Sequence, residues 1–361
     1  MKIVHAIFSF STGGSETLLV DIMNHQCKEA SVSLIVVNDK INPDLLKTLN
    51  KDISVFLLGR KIGSKTQLLS AYLKIRKIIN RIAPDIIHCH DNNLFPFFVR
   101  WKWKTCLTVH GVQLSTAFLR NYRQVFAVSA AVQEDIKQRI GIEAKIIYNG
   151  IELAQYQVRN NQDFDSAHEP FKIVQIGRLS PIPKGQHIAI QSMHLLKKFH
   201  PDIQFQFYLV GDGDALVELQ ALAVQYNLQE RIIFVGQVDR EWVKTRLQDY
   251  HLLIQPSLYE GFGLTIIEGF AAGLPVITSN IEGPKEIVDF LNAGLTVEAG
   301  NPNDLADKIN HIYTCYVSGN LLNSNYLIKN KALLEPFDIQ TTVSQYMKQY
   351  DYYLYNEKND Y

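Results

Sequence analysis

The sequence predicts an α/β protein built from two tandem Rossmann-like, doubly wound domains facing a cleft. Three observations carry this. Short β-branched apolar runs alternate with longer helical patterns along the chain. The alternation stops at a polar stretch near the middle and then restarts. The length, 361 residues, suits two domains at roughly 100–200 residues each. Strands separated by helices form βα units and hence a parallel sheet. Such sheets bind ligands at the carboxyl ends of their strands, so two facing sheets place a ligand in the cleft between them.

In the first half, residues 2–10 read as a strand and 16–29 as a helix. Residues 33–38 and 53–58 are strands. Residues 65–82 are helical, with Leu68, Tyr72, Ile75, Ile79 and Ile82 on one face. Strands at 85–89, 106–110, 125–128 and 145–148 complete this half. Residues 157–170 are polar, lack an apolar period and read as a linker. Strands then recur at 172–176, 204–210, 231–235, 252–255, 275–278 and 294–297. A helix spans 186–199, with Ala189, Met193, Leu196 and Phe199 inward. The expected division is a domain at 1–156, a linker at 157–170, a second domain at 171–337 and a terminal segment at 338–361.

Composition narrows the function classes. Lys plus Arg and Asp plus Glu are each 36, for a formal charge of zero, which gives no support for a nucleic-acid partner. Cys27, Cys89, Cys106 and Cys315 form no CxxC pair, so neither a zinc site nor a disulfide framework is indicated and the thiols suit a reducing compartment. The apolar start runs directly into residues 9–14, as a first strand does and a signal peptide does not. No apolar run reaches the ~18–20 residues of a membrane span. A cytoplasmic location follows as an expectation.

Four loops at strand ends carry the chemistry. In Ser11-Thr12-Gly13-Gly14-Ser15-Glu16, adjacent glycines before a helix either admit an anion to the helix N-terminus or form a tight turn capped by Ser15. Arg178, in Gly177-Arg178-Leu179, and Lys184, in Lys184-Gly185, follow the first strand of the second half and can neutralise a diphosphate. Val210-Gly211-Asp212-Gly213-Asp214 carries an Asp-x-Asp that invites a metal, but strand, turn and helix make the Asp a cap. The fourth loop, Glu260-Gly261-Phe262-Gly263-Leu264-Thr265-Ile266-Ile267-Glu268, leads into a helix near Leu264. Its backbone N–H groups suit a phosphate. Glu268, about one turn on, can accept vicinal ribose hydroxyls or simply complement the helix dipole.

In this order, with Thr108-Val109-His110-Gly111, Val128-Ser129, Ile147-Tyr148-Asn149-Gly150-Ile151, Phe234-Val235-Gly236 and the continuation from Gly269 to Ile277, the loops resemble the retaining GT-B glycosyltransferases of family 4. The likeness covers nearly the whole chain. It implies that Arg178 and Lys184 hold the diphosphate of a nucleotide-sugar donor, and that Gly14 and the backbone of Gly263, Leu264 and Thr265 contact phosphate. It places Glu268 on the ribose, Glu260 on the donor sugar, His110 beside the transferred sugar, and the loop from Val235 to Val238 beside the base. The implied activity is retaining transfer of a hexose-type sugar, from UDP first and GDP next, with no metal or other cofactor. Glu16 matches the family's glycine-rich loop, with helix capping as the competing role. Gly269 stands where the family most often has Ala. The fold also implies a last helix that crosses back onto the first domain. The rival readings are a nucleotide-sugar epimerase or hydrolase of the same architecture, and a non-catalytic sugar-nucleotide-binding protein.

The acceptor side is less specified. The resemblance implies a glycan, lipid-linked or lipopolysaccharide-type acceptor. Lys74, Lys77 and Arg81 share a helix face, and Arg100-Trp101-Lys102-Trp103-Lys104 interleaves cations with tryptophans. Both suit either an anionic membrane surface, as a peripheral contact, or an ordinary solvated face. His88 and His90, at a strand end, read as structural or acceptor-contacting histidines, with metal ligation as the lesser alternative.

Overall fold

The structure is a computed structural model that describes residues 1–11, 13–161, 164–180 and 182–359, with side chains to Tyr355. Thr12 of the first glycine loop, Gln162 and Asp163 of the polar stretch, and the last two residues of the terminal segment lie outside the described residues. The chain divides into two compact units, Met1–Ile151 with Pro336–Tyr361, and Glu152–Glu335.

The first unit runs β1 (Lys2–Ile7), α1 (Gly14–Gln26), β2 (Ser31–Asn38), α2 (Pro43–Lys47), β3 (Ser54–Arg60) and α3 (Leu68–Ile82). It continues with β4 (Ile86–Cys89), α4 (Phe95–Phe98), β5 (Thr105–Val109), β6 (Gln124–Ala127), α5 (Ala130–Ile140) and β7 (Lys145–Ile146). All strands are parallel, in the order β3-β2-β1-β4-β5-β6-β7. The central strands are buried on both faces, as helix-covered parallel strands must be. Register sets His5 of β1 against His88 of β4. Helix ends follow their chemistry: Ser129 Oγ accepts from the Val132 N–H to cap α5, and Gly141 closes it with φ 67°.

The second unit runs β8 (Phe171–Ile176), α6 (Gln186–Phe199), β9 (Phe205–Val210), α7 (Leu216–Gln225), β10 (Ile232–Gly236), α8 (Arg240–Arg246) and β11 (Leu252–Gln255). Then come α9 (Leu264–Ala271), β12 (Val276–Ser279), α10 (Glu282–Leu291), β13 (Leu295–Val297) and α11 (Pro302–Val317). Its parallel sheet has the order β10-β9-β8-β11-β12-β13, which reverses direction between β8 and β11. The last helix, α12 (Ile339–Asn359), belongs to the first unit. There Tyr346 and Tyr350 are fully buried. Among the described residues no helix is long and apolar enough to cross a membrane.

Two sequence expectations are corrected, and the polar stretch shows contacts its pattern does not announce. Phe199, expected inward on α6, is 61% exposed, because the helix ends there and the ring lies beneath the Lys198 ammonium. Leu68, expected on the buried face of α3, is exposed, and Ala71 takes the buried place with Ile75 and Ile79. In the polar stretch at 157–170, described residues on both sides of 162 and 163 make contacts within the second unit. The Gln157 and Arg159 N–H groups donate to the Lys244 and Ala272 carbonyls, Asn161 Nδ2 donates to the Gly273 carbonyl, and Phe164 packs on Phe171, His251 and Tyr316. Backbone groups and one aromatic anchor hold it, neither of which shows as an apolar period.

Candidate active site

In the second unit the loops after β8 and β11 are fastened to each other. The Leu258 N–H donates to the Pro183 carbonyl at 2.8 Å. Gly185 has φ +64°, and a Cβ there would stand 1.9 Å from the Pro256 carbonyl oxygen, so only glycine allows the approach. This contact brings Lys184 to Glu260: Nζ lies 2.5 Å from Oε2, with both side chains largely shielded from water. Glu260 also accepts from Ser257 Oγ at 3.3 Å, and Ser257 accepts from Gln255 Nε2 at 2.9 Å. Ser257 and Gln255 are buried, so the carboxylate stands on a rigid polar stem.

The other cation is placed differently. Gln186 Nε2 holds the Arg178 carbonyl at 3.0 Å, while the exposed guanidinium pairs with Asp214 at 3.2 Å. Asp212 Oδ1 accepts from the Gly213 N–H at 2.7 Å. The two acids of the Asp-x-Asp are thus engaged separately, one with its own turn and one with Arg178. The Gly211 N–H donates to the Gly236 carbonyl, which ties the end of β10 to the end of β9. Val235 lies on β10 and Val238 just beyond it, both partly buried.

Helix α9 starts at Leu264, with Thr265 next and Gly263 (φ 108°) as its N-cap, and among the described residues no side chain caps its first N–H groups. They are donors suited to an anion. Glu268 is the fifth residue of the helix and accepts from the Tyr156 hydroxyl at 3.0 Å. Tyr156 was not singled out by the sequence. Gly283, at the start of α10, would place a Cβ 2.7 Å from the Gly261 carbonyl, so the loop before α9 also rests on its neighbour.

In the first unit, α1 begins at exposed Gly14 with Gly13 as N-cap. Ser15, the cap candidate, instead donates to Glu16 Oε2 at 2.7 Å, and Ser11 donates to Oε1 at 3.2 Å. The Glu16 carboxylate therefore folds into its own loop, because Gly13 leaves it room: a Cβ there would meet it at 2.5 Å. His110 follows β5 and is half-buried. Desolvation lowers its pKa to about 4.

Behind His110 lies a group of histidines that the sequence showed only in part. His90 Nδ1 is 3.4 Å from His110 Nε2, and His90 Nε2 is 3.0 Å from His5 Nδ1. His5 Nε2 is 2.7 Å from Gln26 Oε1. His88 faces the Tyr350 hydroxyl at Nδ1 (2.5 Å) and Thr108 Oγ1 at Nε2 (2.7 Å), and Thr108 reaches the Tyr346 hydroxyl at 2.9 Å. Nitrogens of His5, His88 and His90 gather within 4.8 Å, but each ring nitrogen already has a hydrogen-bonding partner. His5 gave no signal within its strand. Its role arises from the β1–β4 register, which sequence spacing does not reveal.

Two cations, two carboxylates and a helix N-terminus without a side-chain cap among the described residues stand at strand ends of a doubly wound sheet, an arrangement suited to an anionic, hydroxyl-bearing ligand. Comparison with known proteins takes this further. The sequence profile "Glycosyltransferase Family 4" matches residues 12–155 and "Glycosyl transferases group 1" matches residues 158–331. An uncharacterised glycosyltransferase of Methanocaldococcus jannaschii is 27% identical over 69% of this chain and 71% of its own. The Escherichia coli UDP-Gal:alpha-D-GlcNAc-diphosphoundecaprenol alpha-1,3-galactosyltransferase is 25% identical over 80% of this chain and 78% of its own. Anabaena HepE, solved in complex with UDP and glucose, superposes with a TM-score of 0.78 at 24% identity, over 97% of this chain and 99% of its own. The chain belongs to the family 4 glycosyltransferases of GT-B fold, and it is a glycosyltransferase.

Proposed function

We propose that this chain transfers a hexose from a UDP-sugar to a lipid-linked or glycan acceptor, with retention of anomeric configuration and without a resident metal. The observation that carries the reading is the Lys184–Glu260 contact, which sets a diphosphate-binding cation beside a carboxylate able to accept sugar hydroxyls. Departure of the nucleotide diphosphate builds negative charge, which Lys184, Arg178 and the α9 N-terminus stabilise electrostatically. The acceptor hydroxyl attacks on the face from which the diphosphate leaves, and its proton passes to the departing phosphate oxygen. Glu260 and Glu268 then act as hydrogen-bond acceptors for the sugar and ribose, His110 flanks the transferred sugar, Gly14 meets phosphate, and the loop from Val235 to Val238 flanks the base. UDP and an undecaprenol-linked sugar occur in the names of relatives and support these choices.

Peripheral attachment to the cytoplasmic face of a membrane fits the surface of the first unit. On α3, Leu69 and Leu73 are exposed along with Lys77 and Arg81, Leu57 of β3 is exposed, and Trp103 is exposed beside Arg100 and Lys102 in sequence. Lys74 and Lys104 are engaged, donating to the Leu58 and Pro84 carbonyls. Co-sedimentation with anionic vesicles, lost in high salt, tests this.

A thermal-shift panel of UDP, GDP and ADP tests the donor. At ~100 times its dissociation constant a ligand adds about 2.7 kcal/mol of stability, and stabilisation by GDP alone overturns the UDP choice. Product NMR then reads the anomeric configuration with and without a chelator. An inverted product or a chelator-sensitive rate overturns the corresponding clause, and epimerised free sugar formed without acceptor overturns transfer itself.

A further inference from the structure

We propose that Gln26, His5 and His90 form a buried directional relay that holds His110 as the neutral Nε2–H tautomer, making His90 a positioning residue for it. The consequence for transfer rests on the reading of His110 as the neighbour of the reacting sugar. The tautomer itself does not.

The argument starts at the buried end. Gln26 presents Oε1, which only accepts, to His5 Nε2 at 2.7 Å, so His5 carries its proton on Nε2. His5 is wholly buried, and desolvation pushes its pKa down to about 4, so near neutral pH its Nδ1 is a bare lone pair. That lone pair, 3.0 Å from His90 Nε2, accepts a hydrogen bond only if His90 is protonated on Nε2. His90 is kept neutral by the same burial, and its own Nδ1 then accepts from His110 Nε2 at 3.4 Å. One amide at the end of α1 thus dictates three imidazole protons in sequence. His110 is left with a bare Nδ1 that accepts and cannot donate. The ring planes suit such contacts: they lie within 29° of each other in both pairs, with centroids 5.2 Å apart for His5 and His90 and 5.7 Å for His90 and His110, the spacing of rings that meet edge to edge through their nitrogens. His88, stacked on His90 at 4.4 Å, stands outside the relay because hydroxyls occupy both its nitrogens. The Gln26 side chain also acts on Tyr350, whose phenol pKa it works to lower, as an amide N–H beside the phenol oxygen does, and this turns Nε2 towards Tyr350 and Oε1 towards His5.

A histidine tautomer fixed by a second group orients the ring and decides which nitrogen meets substrate, and the wrong tautomer costs rate even when the geometry is kept. Here the orienting group is another histidine instead of a carboxylate, so no buried charge is needed.

The test is 15N NMR of histidine-labelled protein near neutral pH. The expected result is three neutral imidazoles, His5, His90 and His110, each protonated on Nε2, with ring protons protected from solvent exchange. His90→Leu removes the acceptor, and the His110 ring proton loses its protection. His90→Asn puts an amide oxygen in place of Nδ1 and restores it. Gln26→Leu releases the direction of the whole chain, so that all three histidines show tautomer averaging, and this second variant does not depend on His90→Leu folding. A wild-type His110 protonated on Nδ1, an imidazolium at any of the three, or protection unchanged in both leucine variants overturns the relay. These readouts require no sugar nucleotide, so they stand whatever the donor assays give.

Discussion

At the residue scale, the two cations of the loop after β8 differ in how they are held, and this separates stability from binding. The Arg178–Asp214 pair is exposed on both sides, and such pairs contribute little. Arg178→Ala should change unfolding free energy by less than about 0.5 kcal/mol while weakening UDP binding, as calorimetry would show. Lys184→Ala removes the partner of a shielded carboxylate and should lower both stability and affinity. Glu260→Gln should do the reverse for affinity: it frees Lys184 and removes a negative charge, so UDP binds several-fold more tightly while donor turnover falls. Unchanged affinity in that variant would falsify the coupling between the two side chains. Histidine burial sets a pH dependence. The pKa of His5 falls from 6.5 to about 4 on folding, so below pH 6.5 the unfolded chain takes up a proton that the native state refuses. Stability is complete above pH 6.5 and declines towards pH 4, with a slope of about 1.4 kcal/mol per pH unit for each such histidine. Urea titrations at pH 7.5 and 5 measure the difference, and His5→Asn should reduce it by one histidine's share, since His88, His90, His110 and His251 are depressed too.

At the element scale, the loops after β8 and β11 act as one part because glycine lets backbones touch. Gly185→Ala combines φ +64° with a Cβ 1.9 Å from the Pro256 carbonyl. It should destabilise by more than about 2 kcal/mol and separate Lys184 from Glu260. Gly236 is the control. It also has positive φ, but none of the described residues lies within 4 Å of its would-be Cβ, so Gly236→Ala should cost only the backbone term of about 1–2 kcal/mol. Comparing their melting temperatures distinguishes close approach from conformational strain. Equal losses would show that the approach to Pro256 contributes nothing.

At the scale of the whole molecule, α12 ties the end of the chain to the first sheet through two buried phenols. Tyr350 meets His88, and Tyr346 meets Thr108, which in turn meets His88. Tyr346→Phe and Tyr350→Phe should each cost about 1–3 kcal/mol, since each leaves a buried polar partner short of a hydrogen bond. Because both act on one network, the double variant should depart from the sum of the singles. A strictly additive result in denaturant unfolding would mean that the two phenols act independently.

Much of the fold is legible in the sequence because parallel strands are buried on both faces and announce themselves as apolar runs. β11 and α6 fall where the pattern puts them, and α9 starts at the expected Leu264. The loops of the candidate site are legible for a related reason: glycines and charges at strand ends are local in sequence. What the sequence misses is pairing across distance. Residues 157–170 look like a linker because hydrogen bonds to the Lys244, Ala272 and Gly273 carbonyls leave no periodic trace. The partner of Glu268 is Tyr156, more than a hundred residues away. The sequence by itself determined two doubly wound units and the chemical character of the loops at their strand ends, since both depend on neighbours along the chain. Only the tertiary structure decided that Lys184 touches Glu260 and that Gln26, His5, His90 and His110 form one line. Strand register and backbone contact set those distances, and neither is written in any local stretch of residues.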